Sequence, residues 1–273
     1  MNIRFFEHES VESTNQLALD LFQASGLKEP VFVFAREQTA GRGRHGRLWA
    51  SPRGGAWCSL AWAIRPDVDH AAASLVAGLA TRDAVARACL RIGLDTSRIS
   101  IKWPNDLLLD CDPKRPGREL RKFAGVLCER PEKDTLVIGV GVNADFEVDA
   151  IPEILNEPPR TPSTTLRTAF KKSVDPEQIA RELAEALPAS LRAFERGGFA
   201  PFAPELRAAL AHLGEPVAWE TPSGRVFGRI SGVDDAGRLL LDVGTPELAV
   251  LSSGEVSRVP DSGGPQWPGP DKP

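Results

Sequence analysis

Gln38-Thr39-Ala40-Gly41-Arg42-Gly43-Arg44-His45-Gly46-Arg47-Leu48-Trp49 is the stretch on which the reading of this 273-residue chain turns. Three glycines alternate with three arginines in it. It lies between two apolar runs, Val31-Phe32-Val33-Phe34 and residues 56–64, that read as strands. Glycine lets a backbone bend sharply and come close to a ligand. Arginine brings a fixed charge and a planar fork of donors that matches phosphate or carboxylate. A solvated basic loop, or an arginine–glycine patch that touches RNA, would use the same residues. The motif is single and embedded between strands, and the chain as a whole carries a net charge of −4. A loop that orders over a small anionic ligand fits that setting better, and residues 39–49 are expected to be mobile without it.

Working outward, residues 3–6 predict a short strand, and Ser13 or Thr14 caps a helix through Leu17, Leu19, Leu21 and Phe22. Helical spacing runs from 71 to 92 through Leu75, Leu79, Val85 and Leu90 and stops at Gly93. Residues 99–101 and 107–109 read as extended, and 123–128 and 136–142 as paired strands joined by a charged hairpin at 129–134. Residues 145–162 are proline-rich and read as irregular. Asp175-Pro176-Glu177 is a helix start, with Pro188 expected to kink or end the helix although Leu191 and Phe194 keep its rhythm. From Gly214 onward five short strands, one pair turning at Asp234-Asp235-Ala236-Gly237, suggest a small β-barrel. The organisation expected is therefore a large domain over 1–212, a barrel over 213–260 and a disordered tail over 261–273.

Composition narrows the class. A chain with 42% hydrophobic and 26% charged residues is of ordinary globular type. Its acidic balance argues against a broad electrostatic grip on nucleic acid. The four cysteines are scattered, with no paired spacing that suggests a disulfide framework or metal site. No apolar run is long enough for a membrane span and no signal peptide is seen, so a cytoplasmic protein is expected.

Three further stretches carry possible chemistry. In Lys102-Trp103-Pro104-Asn105-Asp106 the proline fixes a turn whose Asn and Asp bond backbone or ligand, with a structural turn around a packed Trp as the alternative. Arg121-Lys122-Phe123-Ala124-Gly125 sets a cation on a strand near a glycine, which a plain exposed lysine would also satisfy. Gly139-Val140-Gly141-Val142-Asn143 puts glycines inside a strand, marking either close approach of a ligand or a bulge.

In this order, with Glu12-Ser13-Thr14-Asn15 ahead of them, these motifs resemble the biotin–protein ligases over most of residues 1–260. The Gly/Arg loop is specific to that family, while the rest is shared with lipoyl ligases. The resemblance implies an α+β chain: a mixed β-sheet flanked by helices, related to class II aminoacyl-tRNA synthetases, followed by an SH3-like barrel. It implies that biotin and ATP, with Mg2+, give biotinyl-5′-adenylate, and that a lysine of a biotin carboxyl carrier domain then takes the biotinyl group. By motif position, Ser13, Thr14, Asn15, Gln38, Gly41, Arg42, Arg44, Trp49, Lys122, Gly125 and Gly139 would meet biotin. Arg44, Arg47, Trp49, Lys102, Asn105, Asp106, Lys122, Gly141 and Asn143 would meet ATP. Lys122, Arg42 and Arg44 would be catalytic, and Asp106 would hold the metal. Some members carry an N-terminal helix-turn-helix. Here the motifs begin at Ser13, so the short form without specific DNA binding is expected, with a homodimer left open. Some members also stack a tryptophan on adenine after the Asn143 region, but 145–162 contains none. A lipoate or octanoate ligase or transferase, an RNA-binding protein and a silent biotin-binding module are the rival readings.

Overall fold

The computed structural model describes residues 3–27, 29–68, 71–112, 114–115, 117, 119–151, 161–221 and 224–259. The expectations for 152–160 and for the tail after Val259 lie outside the described residues.

The main sheet has seven strands in the order β1-β2-β3-β7-β6-β5-β4. They are β1 (Arg4–His8), β2 (Val31–Ala35), β3 (Ala56–Ala63), β4 (Ile99–Lys102), β5 (Asp106–Asp110), β6 (Leu120–Glu132) and β7 (Thr135–Val142). Only β1 and β2 pair in parallel and the other pairs are antiparallel, so the sheet is mixed. Strand β2 shows why it sits inside. Its side chains alternate between faces, and both sets are apolar. Val31 and Val33 pack under helix α1 (Thr14–Ala24) with Ala18 and Phe22. Phe32 and Phe34 join the larger core beneath α2 (Ala73–Leu90) and α4 (Pro176–Gly197).

Two local expectations are sharpened. Ser13 does occupy the N-cap of α1 in extended backbone, but its side chain makes no capping bond. The buried N–H of Thr14, one of the first-turn donors without a partner inside the helix, is taken by Gln38 Oε1 at 2.8 Å, so a residue from the Gly/Arg loop satisfies the helix start. Pro188 neither ends nor divides α4, which runs through it to Gly197. A mid-helix proline costs about 3 kcal/mol. Leu183, Leu187, Leu191 and Phe194 are each at most 1% exposed on the same helix, and burial at about 1.5–3 kcal/mol each outweighs it.

After the short helices α3 (Leu166–Phe170) and α5 (Ala203–Ala209), the chain forms a second, antiparallel sheet in the order β11-β10-β9-β8-β12. Its strands are β8 (Pro216–Thr221), β9 (Gly224–Val233), β10 (Leu239–Asp242), β11 (Ala249–Leu251) and β12 (Val256–Arg258). The two sheets share one core, in which Val217, Ile230 and Leu239 join Leu75, Ile101 and Trp103. The indole of Trp103 donates to Gly237 O at 3.0 Å, tying the Trp-Pro-Asn-Asp turn to the β9–β10 hairpin. The outer edge of β4 is partly covered, since Ala211 N donates to Ile101 O.

Candidate active site

A cavity of about 830 Å³ opens between the start of α1, the loop 38–51, strands β5 to β7 and the beginning of β12. Every residue singled out from the sequence lines it except Gly41. A Cβ on Gly41 would lie 2.5 Å from both Ser51 Oγ and Trp49 O, so this glycine serves the fold of the loop itself.

One end of the cavity is neutral and polar. Gln38 Oε1 accepts from both the backbone N–H and the hydroxyl of Thr14, at 2.8 and 3.0 Å. Its amide nitrogen donates to Ser51 Oγ at 2.9 Å, and Ser51 in turn donates to Trp49 O. Ser59, fully buried on β3, reaches Thr14 Oγ1 at 2.7 Å and Asn15 Oδ1 at 2.6 Å. Asn15 donates to Glu129 Oε2 at 2.6 Å. Cys58 lies beneath this end, and burial pushes its thiol far above the ordinary range, keeping it protonated and inert.

The other end is cationic. Lys122 lies 2.6 Å from Asp106 Oδ1, with its ammonium 4.8 Å from the centre of the Trp49 ring. The β5–β6 ladder shifts register between Leu107 and Leu108 where Lys122 joins it, a bulge of the kind that re-aims a side chain. Arg44 donates to Asn105 Oδ1 at 3.1 Å, and Asn105 is fixed by its own bond to Val126 O at 2.9 Å. Lys102 donates to Thr161 Oγ1 at 3.1 Å. Burial holds its ammonium below the ordinary value, although Asp106 pulls the other way. Arg47 pairs with Glu255 of the second sheet, and Glu220, Gly254 and Val256 extend that wall. Arg42 is exposed at the rim.

The strand glycines do something more specific than admit a ligand. A Cβ on Gly139 would meet Asn15 Oδ1 at 2.3 Å, and one on Gly141 would meet Trp49 Nε1 at 2.6 Å. One on Gly125 would come within 3.1 Å of the same indole. These glycines make room for Asn15 and Trp49, which form the wall in turn. Asn143 is buried and donates to Thr164 O at 3.1 Å, so it anchors the 161–166 segment beside the cavity. Ser51, Ser59, Glu129, Thr161, Glu220 and Glu255 were not singled out from the sequence. Ser59, Glu129, Thr161 and Glu255 meet partners distant in the chain, and no local pattern marks them. No group of three or more carboxylate, His or Cys side chains suited to a metal occurs among the described residues. No described helix is long and apolar enough to cross a membrane.

A cavity with a neutral hydrogen-bonding end and a cationic end suits a small carboxylic acid beside a phosphate chain. Residues 7–143 match the biotin/lipoate A/B protein ligase family and residues 212–259 the biotin protein ligase C-terminal domain. The chain belongs to the biotin/lipoate A/B protein ligase family. Among its relatives is the biotin–[acetyl-CoA-carboxylase] ligase of Paracoccus denitrificans, 37% identical over 252 residues, covering 90% of this chain and 96% of the relative. The enzyme of the same name from Mycobacterium tuberculosis is 37% identical, over 85% of this chain and 81% of its own. The fold is similar to the Aquifex aeolicus biotin protein ligase in complex with biotin and ATP. That match has a TM-score of 0.75 and 25% identity, and covers 94% of this chain and 99% of the other.

Proposed function

We propose that this chain is an ATP-dependent biotin–protein ligase that acts in two steps within the cavity described. A carboxylate oxygen of biotin attacks the α-phosphorus of ATP and pyrophosphate leaves, giving biotinyl-5′-adenylate. The neutral amine of an acceptor lysine then attacks the acyl carbon, and AMP departs with the anhydride oxygen. The observation that carries this reading is the meeting, in one cavity, of the Thr14–Gln38–Asn15 wall with the Lys122, Arg44 and Lys102 cations.

In this reading Ser13, Thr14, Asn15 and Gln38 hold the ureido ring, with Gly139 giving Asn15 its place. The carboxylate points toward Lys122, Arg42 and Arg44. Bringing it against a polyanion needs repulsion cancelled before reaction and charge stabilised as it grows at phosphorus, which fixed cations in a shielded site provide. Lys122 exchanges Asp106 for the incoming anions, while Arg47 and Lys102 meet the phosphates. Asn105 keeps Arg44 aimed, and Trp49, seated over Gly125 and Gly141, shields the anhydride from water. Gly41 shapes the loop, and Asn143 and Ile151, which both line the cavity, offer a surface for the nucleoside.

Asp106 is the carboxylate suited to Mg2+, which commonly takes one or two carboxylates together with substrate phosphates and retained waters. When bound, the ion supplies charge neutralisation on the phosphates. The acceptor is a biotin carboxyl carrier domain of a biotin-dependent carboxylase. The acidic chain is expected to be cytoplasmic and to bind no specific DNA, and a homodimer is compatible with β1 standing at the end of the strand order. A unit boundary near 212 is part of this reading, since the strands of the second sheet all lie beyond it. The test is incubation with biotin, MgATP and a carrier domain, read by streptavidin. Biotin-dependent ATP–pyrophosphate exchange is expected, and exchange supported by lipoate but not biotin overturns the reading.

A further inference from the structure

The polar end of the cavity has a property that appears on counting its protons. The N–H of Thr14 points at Gln38 Oε1, so that amide oxygen is an acceptor and cannot be flipped. Three oxygen–oxygen contacts then follow in a row: Thr14 Oγ1 to Gln38 Oε1 at 3.0 Å, Ser59 Oγ to Thr14 Oγ1 at 2.7 Å, and Ser59 Oγ to Asn15 Oδ1 at 2.6 Å. Each hydroxyl carries one proton. Two protons therefore serve three contacts, however they are arranged, and one acceptor pair is always left facing without a proton.

The shortage depends on which way the Asn15 amide is turned. If its nitrogen faced Ser59, that nitrogen would supply the missing proton. Glu129 prevents this. Its carboxylate, an acceptor only, stands 2.6 Å from Asn15 Nδ2 and demands the nitrogen for itself. The amide is also hemmed in from the strand side, where only the absent side chain of Gly139 leaves it space.

We propose that Glu129 is a positioning and specificity residue. By fixing the Asn15 amide it leaves the Thr14–Ser59–Asn15 oxygens one proton short, and so tunes the cavity for a ligand that brings N–H groups. This rests on the reading of the chain as a biotin ligase and deepens it. A ureido ring carries two N–H donors, whereas the dithiolane of lipoate and the alkyl end of octanoate carry none. A site built to take a donor rejects analogues that lack one more strongly than a site that merely fits them. Glu129 is on the exposed side of β6, so replacing it spares the core.

The experiment measures ATP–pyrophosphate exchange with biotin and with lipoate for the full chain and for Glu129→Gln, Glu129→Ala and Glu129→Lys. Lysine is a donor, turns the Asn15 oxygen toward itself and removes the shortage. The biotin-to-lipoate ratio of kcat/KM is expected to fall about tenfold in Glu129→Lys, the scale of one charge-assisted hydrogen bond. It should fall less in Glu129→Ala and least in Glu129→Gln, which can still offer an oxygen to Asn15. KM for ATP should not change, and calorimetric titration with biotin should show the same order of affinities. A ratio that stays within about twofold across the series, or KM values for biotin and ATP that rise together, overturns the proposal. If the unaltered chain gives no biotin-dependent exchange, the functional reading itself fails, and the series is not what refutes it.

Discussion

The two ends of the cavity are built on opposite principles. At the neutral end Thr14, Asn15, Gln38 and Ser59 are joined by short hydrogen bonds among uncharged groups, with Glu129 the one charge in the chain of contacts. At the cationic end Lys122 and Arg47 are held by carboxylates, Asp106 and Glu255, that an anionic ligand must displace. The first end is tied together by hydrogen bonds among α1, β3 and the loop. At the second, Lys122 and Arg47 sit in internal ion pairs that compensate their charge, while Lys102 and Arg44 donate to Thr161 and Asn105. Under the proposed function, recognition of the ring would rely on prior order, and handling of the phosphates on exchange of partners.

The largest effect that would sharpen this contrast is at the cationic end. Lys122→Ala should lower biotin-dependent ATP–pyrophosphate exchange by roughly 10²–10³-fold, the scale of losing one preorganised electrostatic partner. Biotin affinity measured by calorimetry should move far less. Equal losses in both would break the division between the ends. Next come the glycines. Gly139→Ala drives a methyl to 2.3 Å from Asn15 Oδ1, and Gly141→Ala drives one to 2.6 Å from Trp49 Nε1. Overpacking of this kind costs about 1–3 kcal/mol. Gly139→Ala should raise the Kd for biotin, while Gly141→Ala should mainly raise KM for ATP.

A smaller effect is expected between the two sheets. A double-mutant cycle of Arg47→Ala and Glu255→Ala, read by thermal unfolding, should give a coupling of about 1 kcal/mol or less, because the two side chains are 40% and 28% exposed. A coupling of several kcal/mol would show that the pair is a structural lock and not an exchangeable one. The smallest effect lies at His212, just before β8, where burial is the main influence and holds the imidazole below its ordinary value of 6.5 despite the Glu215 carboxylate. Because the unfolded chain takes up this proton at a higher pH than the folded one, stability should decline as pH falls through and below 6.5. His212→Gln should flatten that decline in urea titrations.

Much of this was legible in the sequence, and the reason is local. The Gly/Arg loop, the Lys102–Asp106 turn and the 139–143 strand carry their constraints within a few residues, so reading them located the part of the cavity wall that the main sheet and its loop supply. What stayed hidden were relations between distant segments. Nothing near Glu129 says that it reaches back to Asn15, 114 positions earlier. Nothing near Glu255 says that it meets Arg47. The strand glycines were visible as unusual, but their physical role of making room for Asn15 and Trp49 depends on the β6–β7 register. Whether the helix would end at Pro188 was undecided for the same reason, since the burial that carries it on to Gly197 belongs to the packed molecule.

Trp49 has one more consequence. Its indole lies across Gly125 and Gly141 with an ammonium 4.8 Å from the ring centre, and its N–H is buried with no hydrogen-bond partner among the described residues. A fluorophore with a cation over its ring reports the position of that cation. As a ligand anion draws Lys122 away, the emission of this indole should change, and Trp49→Phe should remove the signal. The site thus carries its own optical probe, able to time the arrival of substrate without any label.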